Sequence, residues 1–146
     1  MGVRKLLILL LFYSALVYSY SEVKMITLYI GSEKFVVEVA DTAAKQQRGL
    51  MFRDHIPDDF GMLFVHAGEA YRSFWMKNCL VPLDIIYLDK HKQIINMYID
   101  VPPCKGEPCK SYASARPARY VLELRANRSK ELNLKPGDTI FFILNR

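Results

Sequence analysis

The alternation of apolar and polar positions predicts strands along almost the whole chain. Met25–Ile30 and Phe35–Ala40 are rich in β-branched and aromatic residues and flank Gly31-Ser32-Glu33-Lys34, the pattern of a hairpin. Phe35, Val37 and Val39 then share one face, because successive side chains of a strand point to opposite sides. Asp41 or Thr42 is a good N-cap for a short helix over Ala43–Arg48, with Gly49 as its left-handed stop. Asp54–Phe60 reads as a loop around Pro57. Three apolar runs follow, Met62–His66, Tyr71–Lys77 and Leu83–Leu88, before Asp89-Lys90-His91-Lys92 turns the chain into Gln93–Val101. Pro102–Pro117 reads as a long irregular loop and Tyr120–Arg125 as a strand. Ser129–Leu134 predicts a helical turn, and Thr139–Leu144 a last strand beyond the turn Pro136-Gly137-Asp138. About eight short strands with one or two short helices predict a mainly β fold, a compact β-sandwich or jelly-roll-like barrel. Residues 22–146 are expected to form that single domain.

The first 21 residues carry a different pattern. Met1–Lys5 is a short basic start, Leu6–Tyr20 is apolar apart from Ser14 and Ser19, and Ser19-Tyr20-Ser21 offers small residues where signal peptidase reads. The expectation is a secretory signal cleaved after Ser21; the alternative is an N-terminal membrane anchor. As a helix the apolar run would span about 23 Å, short of the roughly 30 Å hydrocarbon core, which favours the signal. Either way the domain is expected outside the cytoplasm, with no stable membrane insertion once the signal is gone.

Composition and charge narrow the partners. The chain has 146 residues and a formal charge of +5, which falls to +3 once Arg4 and Lys5 leave with the signal. The remaining basic residues interleave with acids and form neither a stripe nor a reading motif, so no nucleic acid is expected. Cysteine usage fits an oxidising compartment. Cys104 and Cys109 bracket the turn-forming Lys105-Gly106-Glu107-Pro108 and read as a disulfide. Cys79, left over in an apolar stretch, reads as a buried free thiol. Asn127-Arg128-Ser129 satisfies the glycosylation sequon.

Several ordered motifs give the chain a resemblance. Arg48-Gly49-Leu50-Met51, Gly61-Met62-Leu63-Phe64, Phe74-Trp75-Met76-Lys77-Asn78, Pro82-Leu83-Asp84, Pro108-Cys109-Lys110-Ser111-Tyr112, Tyr120-Val121-Leu122-Glu123 and Gly137-Asp138 occur in that order. Together they resemble the domain of unknown function 192 family, small proteins of bacteria and archaea, from about Val36 to Phe142. The resemblance implies a compact β-sandwich or jelly-roll-like fold, often exported, and no established activity. Where that family commonly has Thr after Lys-Asn, this chain has Cys79.

Familiar catalytic machinery is missing from the sequence. It holds no Gly-x-Ser-x-Gly elbow, no phosphate-cradling glycine loop and no His-Glu-x-x-His helix, and no cofactor is expected. His55, His66 and His91 are widely spaced, and the two that flank turns read as surface histidines. The informative stretch is Phe74–Leu88, where Lys77, Asn78 and Asp84 are the strongly polar residues in an apolar run. Such groups must be solvated, paired or turned to a cavity. One reading is a pocket with these three as its polar floor, Trp75 as a wall, and Arg48 and Glu123 added from other elements. The other is a structural network in which Asp84 pairs with Arg48 or Lys77. A binding module for a small polar ligand, or a hydrolase-like enzyme with Asp84 or Glu123 as base, fits the first. Met51, Met62, Met76 and Cys79 raise a further alternative, a soft-metal site for copper, against ordinary core packing.

Overall fold

The computed structural model describes residues 22–144; the expected signal segment lies outside the described residues. The nine strands are β1 (Met25–Ile30), β2 (Glu33–Ala40), β3 (Phe60–Ala70), β4 (Ser73–Trp75), β5 (Leu83–Leu88), β6 (Ile94–Val101), β7 (Ser111–Ala113), β8 (Ala118–Arg125) and β9 (Phe141–Phe142). Two short helices, α1 (Ala43–Arg48) and α2 (Arg128–Glu131), complete the described elements. The fold is mainly β, as the hydrophobic pattern predicts.

Seven strands form one sheet in the order β6-β5-β8-β3-β2-β1-β9, and β4 pairs with β7 in a second, two-stranded sheet. β2 and β3 run parallel, joined by the crossover that carries α1; every other pairing is antiparallel. Thr42 caps α1 by accepting the Lys45 N–H at 3.3 Å. Gly49 ends it at φ 49°, ψ −139°, a conformation that glycine adopts readily and other residues resist.

The central strands are buried on both faces, which explains why Leu83–Leu88 is a nearly unbroken apolar run. On one face Met62, Phe64, Ile85, Tyr87 and Val121 pack with Leu50, Met76 and Tyr112. On the other, Leu63, Ile86, Leu122 and Leu124 pack with Leu28, Phe35 and Phe142. The last three belong to β1, β2 and β9 of the same sheet, so the sheet curls around its own second core. Gly61 permits the close seating of β3 on β8: a Cβ there would stand 2.3 Å from the Glu123 carbonyl oxygen.

Three details depart from the sequence reading. The segment expected as a loop over Pro102–Pro117 contains β7, which pairs Tyr112 with Phe74. β3 continues to Ala70 through a register shift after Val65. The last strand keeps only Phe141–Phe142. The Cys104–Cys109 bond is present, with Cα atoms 5.5 Å apart.

Candidate functional site

The face of the sheet that carries Met62 and Phe64 opens, beside α1, into a cavity of about 300 Å³. Strand alternation builds its floor. Phe64 and His66 on β3 and Glu123 on β8 project to the same side, since Met62 pairs in register with Glu123. The C-terminal end of α1 supplies one wall through Arg48, Gly49 and Met51, and β4 with the turn after it supplies the other through Phe74, Trp75 and Cys79. Phe64 and Phe74 meet edge to face at 4.8 Å.

Gly49 matters here for what it lacks. A Cβ at this position would lie 3.3 Å from the Phe64 ring and 3.8 Å from Glu123 Oε2. The bare backbone therefore lets the α1 terminus close over the carboxyl without covering it.

Glu123 is the chemical centre of the site. It is 4% exposed, and Oε2 has no hydrogen-bond partner among the described residues. Burial disfavours its charged form and pushes the carboxyl up to about 8, so at neutral pH it is mostly a neutral acid, able to donate as well as accept. His66 Nε2 likewise has no partner among the described residues. Burial, with the Arg72 cation adding to it, holds the imidazole down to about 4. Burial and then the Glu123 charge push the free Cys79 thiol up to about 12.

Two cations stand at the rim. Lys77 lies 5.3 Å from the Trp75 ring centre and is ion-paired to Glu107 of the disulfide loop. Arg48 lies 5.9 Å from the Phe52 ring and makes no ion pair among the described residues. It borders the cavity and a shallower hollow outside it, where Asn78 also lies. Asn78 sits at φ 56°, and its carbonyl accepts the Phe52 N–H at 2.8 Å.

The sequence grouping is therefore partly redrawn. Arg48, Trp75, Lys77 and Glu123 come together at the cavity, and Asn78 stands just outside. Asp84 does not belong: it pairs in register with Leu124 and faces the second core. Its carboxylate pairs with neither Arg48 nor Lys77. It accepts backbone N–H groups from Asp100 and Asn127 at 2.9 Å and from Ser129 at 2.7 Å, pinning the end of β6 to the start of α2. The Asn127 of the sequon is thus part of this pin, and Ser129 is fully buried.

The sulfur set also divides. Met62 and Met76 are core residues, whereas Met51 and Cys79 line the cavity. Cys79 is half-buried at a cavity wall instead of fully buried in the core. His66, which the sequence reading left out of the site, is a floor residue. Its two-residue spacing from Phe64 on an alternating strand is the signal that marks it.

The DUF192 family, described as "Uncharacterized ACR", matches residues 26–142. The chain belongs to this family. A UPF0127 protein of Thermococcus sibiricus is 26% identical over 106 residues, which is 71% of this chain and 64% of that relative. The match thus spans less than two thirds of the relative's own length. Two crystal structures are similar in fold. One, from Sinorhizobium meliloti and described as a candidate transcription regulator, has 30% identity and a TM-score of 0.72, covering 81% of this chain and 92% of its own. The other, of unknown function from Novosphingobium aromaticivorans, has 31% identity and a TM-score of 0.71, covering 82% and 84%. Within this DUF192 chain, four of the stretches that carry the family resemblance contribute residues to the cavity: Arg48–Met51, the one ending in Phe64, the one starting at Phe74 and the one ending in Glu123.

Proposed function

We propose that this chain is an exported domain that binds a small polar ligand in the cavity over Glu123. One observation carries the reading. A buried carboxyl oxygen with no hydrogen-bond partner among the described residues, as at Glu123 Oε2, is costly by about 1–3 kcal/mol unless something that enters the cavity satisfies it. The surroundings suit a ligand, with aromatic walls, a few convergent polar groups and one unpaired cation at the mouth.

A hydrolase-like enzyme is the second reading, favoured by the raised carboxyl, which is what a general acid near neutral pH requires. Binding is preferred because the neighbours lack an activated nucleophile: the Cys79 thiol is held protonated and shares no hydrogen bond with His66. The regulator description of the Sinorhizobium protein is not carried over. In this chain Arg53, Arg125 and Arg128 are ion-paired to Glu38, Asp58, Glu131 and Glu33, and the basic residues interleave with acids along the sequence without a stripe or a reading motif. Export rests on the apolar leader pattern and on the Cys104–Cys109 bond.

The test is a thermal-shift screen of a small-metabolite library against the wild type and Cys79→Phe, whose ring fills the cavity. Compounds that raise Tm in the wild type alone support binding at this site. A library that shifts neither protein, or both equally, overturns it. Any hit incubated with protein and recovered chemically changed favours the enzyme.

A further inference from the structure

Charge is distributed unevenly around the cavity, and this restricts what fits. The cavity offers neutral hydrogen-bonding groups: on the floor Glu123 Oε2 and His66 Nε2, both without a partner among the described residues, and on the wall the Cys79 thiol. Among the described residues no cation lines that floor. Arg72, which acts on His66 electrostatically, is held by the carbonyls of Gly68 at 2.7 Å and Ala118 at 3.4 Å. At the rim Lys77 is neutralised by Glu107. Arg48 is exposed and without an ion pair among the described residues, and it borders this cavity and the two hollows beside it. The rest of the lining is aromatic, formed by Phe64 on the floor and by Phe74 and the half-exposed Trp75 on the wall.

We propose that the ligand is a small organic anion with a flat apolar body, its acidic group held by Arg48 at the mouth and a neutral polar end reaching Glu123 on the floor. This rests on the binding function proposed above and names its ligand class. A planar guanidinium matches a carboxylate or phosphate with two parallel hydrogen bonds. The flat body stacks on aromatic walls that a charged group would leave unsolvated. A neutral hydroxyl or amide completes the Glu123 carboxyl without forcing it to ionise in an apolar floor. An organic cation meets the opposite terms: Arg48 repels it on entry, and it must draw a charge onto Glu123.

Trp75 is the chain's single tryptophan and stands at the rim, so its fluorescence reports occupancy. The purified chain is titrated at pH 6 with benzoate, benzamide and benzamidinium, three molecules of one shape and different charge, and with 4-hydroxybenzoate. Benzoate is expected to bind more tightly than benzamidinium by about tenfold or more, a margin that Arg48→Gln removes. The added hydroxyl of 4-hydroxybenzoate should tighten binding by about threefold or more, and Glu123→Leu should erase that gain. Arg48 is exposed, and Glu123→Leu replaces an unsatisfied buried carboxyl with an apolar group, so both variants are expected to fold; a thermal melt checks this. Preferred binding of benzamidinium, or a hydroxyl gain that survives Glu123→Leu, overturns the anion class while leaving a ligand-binding cavity. No response to any of the four also overturns the anion class, and the library screen still decides independently whether the cavity binds at all.

Discussion

Glu123 and Asp84 are both buried carboxylates on central strands, and their surroundings give them opposite work. Asp84 accepts three backbone N–H groups; Glu123 Oε2 has no partner among the described residues. In Asp84→Asn one amide must turn its own N–H groups toward those donors, so stability in a urea titration should fall by about 2–4 kcal/mol with binding at the cavity unchanged. Glu123 predicts a pH effect. Its folded-state value near 8 lies above the 4.5 of the free side chain, so its contribution is fully present below pH 4.5 and is lost as pH rises through 8. Relative to Glu123→Gln, the wild type should lose stability over that interval at up to about 1.4 kcal/mol per pH unit. His66 works from the acid side: its value is depressed to about 4, so its contribution is present above pH 6.5 and lost as pH falls through 4. Urea midpoints of wild type, Glu123→Gln and His66→Gln from pH 4 to 9 check both signs. Sequence alone placed Glu123 in the site but grouped Asp84 with it. Trp75, Lys77 and Asp84 are near in the chain, yet Trp75 and Lys77 stay together at the cavity while Asp84, beyond the turn on β5, pairs with Leu124 on the face of the second core, which no one-dimensional pattern records.

At the scale of elements, the boundaries of β1, α1 and β5 follow the hydrophobic pattern closely, because a turn residue or a cap punctuates each end. β7 escaped that pattern. Ser111 and Ala113 carry no strand signal, and the pairing with β4 is held by Tyr112, which packs with Phe74 in the first core. α1 is the element on which the site depends most. None of its residues is buried, so packing does little to fix it. Its place is set by the Thr42 cap, by Gln46 donating to the Ala40 and Val65 carbonyls at 3.1 and 2.9 Å, and by Gly49 closing against Phe64. Gly49→Ala combines a strained backbone with a methyl 3.3 Å from that ring. The expected cost is about 1–3 kcal/mol in a denaturant titration, with weaker binding of any cavity ligand because the methyl also stands beside Glu123 Oε2. A fully retained midpoint would show that α1 shifts freely, and the floor would then not be fixed as described.

At the scale of the molecule, one curled sheet carries two cores, and the cavity sits where the first core is covered only by α1, β4 and the turn after it. The disulfide loop braces that cover from outside. Its Cys104 N–H donates to the Met76 carbonyl at 3.1 Å, and its Glu107 holds Lys77 against Trp75. An oxidising compartment would therefore support the rim as well as the loop. Closing a loop of about six residues is worth about 2 kcal/mol in the chain-entropy account. Cys104→Ser with Cys109→Ser should lose about that much and increase the solvent exposure of Trp75, seen as a red shift in its emission. Expression in a secretion-competent host should yield a protein whose intact mass begins at Glu22. Peptide mapping without reduction should link Cys104 to Cys109, and Cys79 should remain a free thiol that alkylates slowly at neutral pH because burial holds it protonated. Retention of residues 1–21 with resistance to carbonate extraction would make the chain anchored instead. A bond between Cys79 and either loop cysteine would break the brace and place a disulfide inside the cavity, and the binding function would not survive that result.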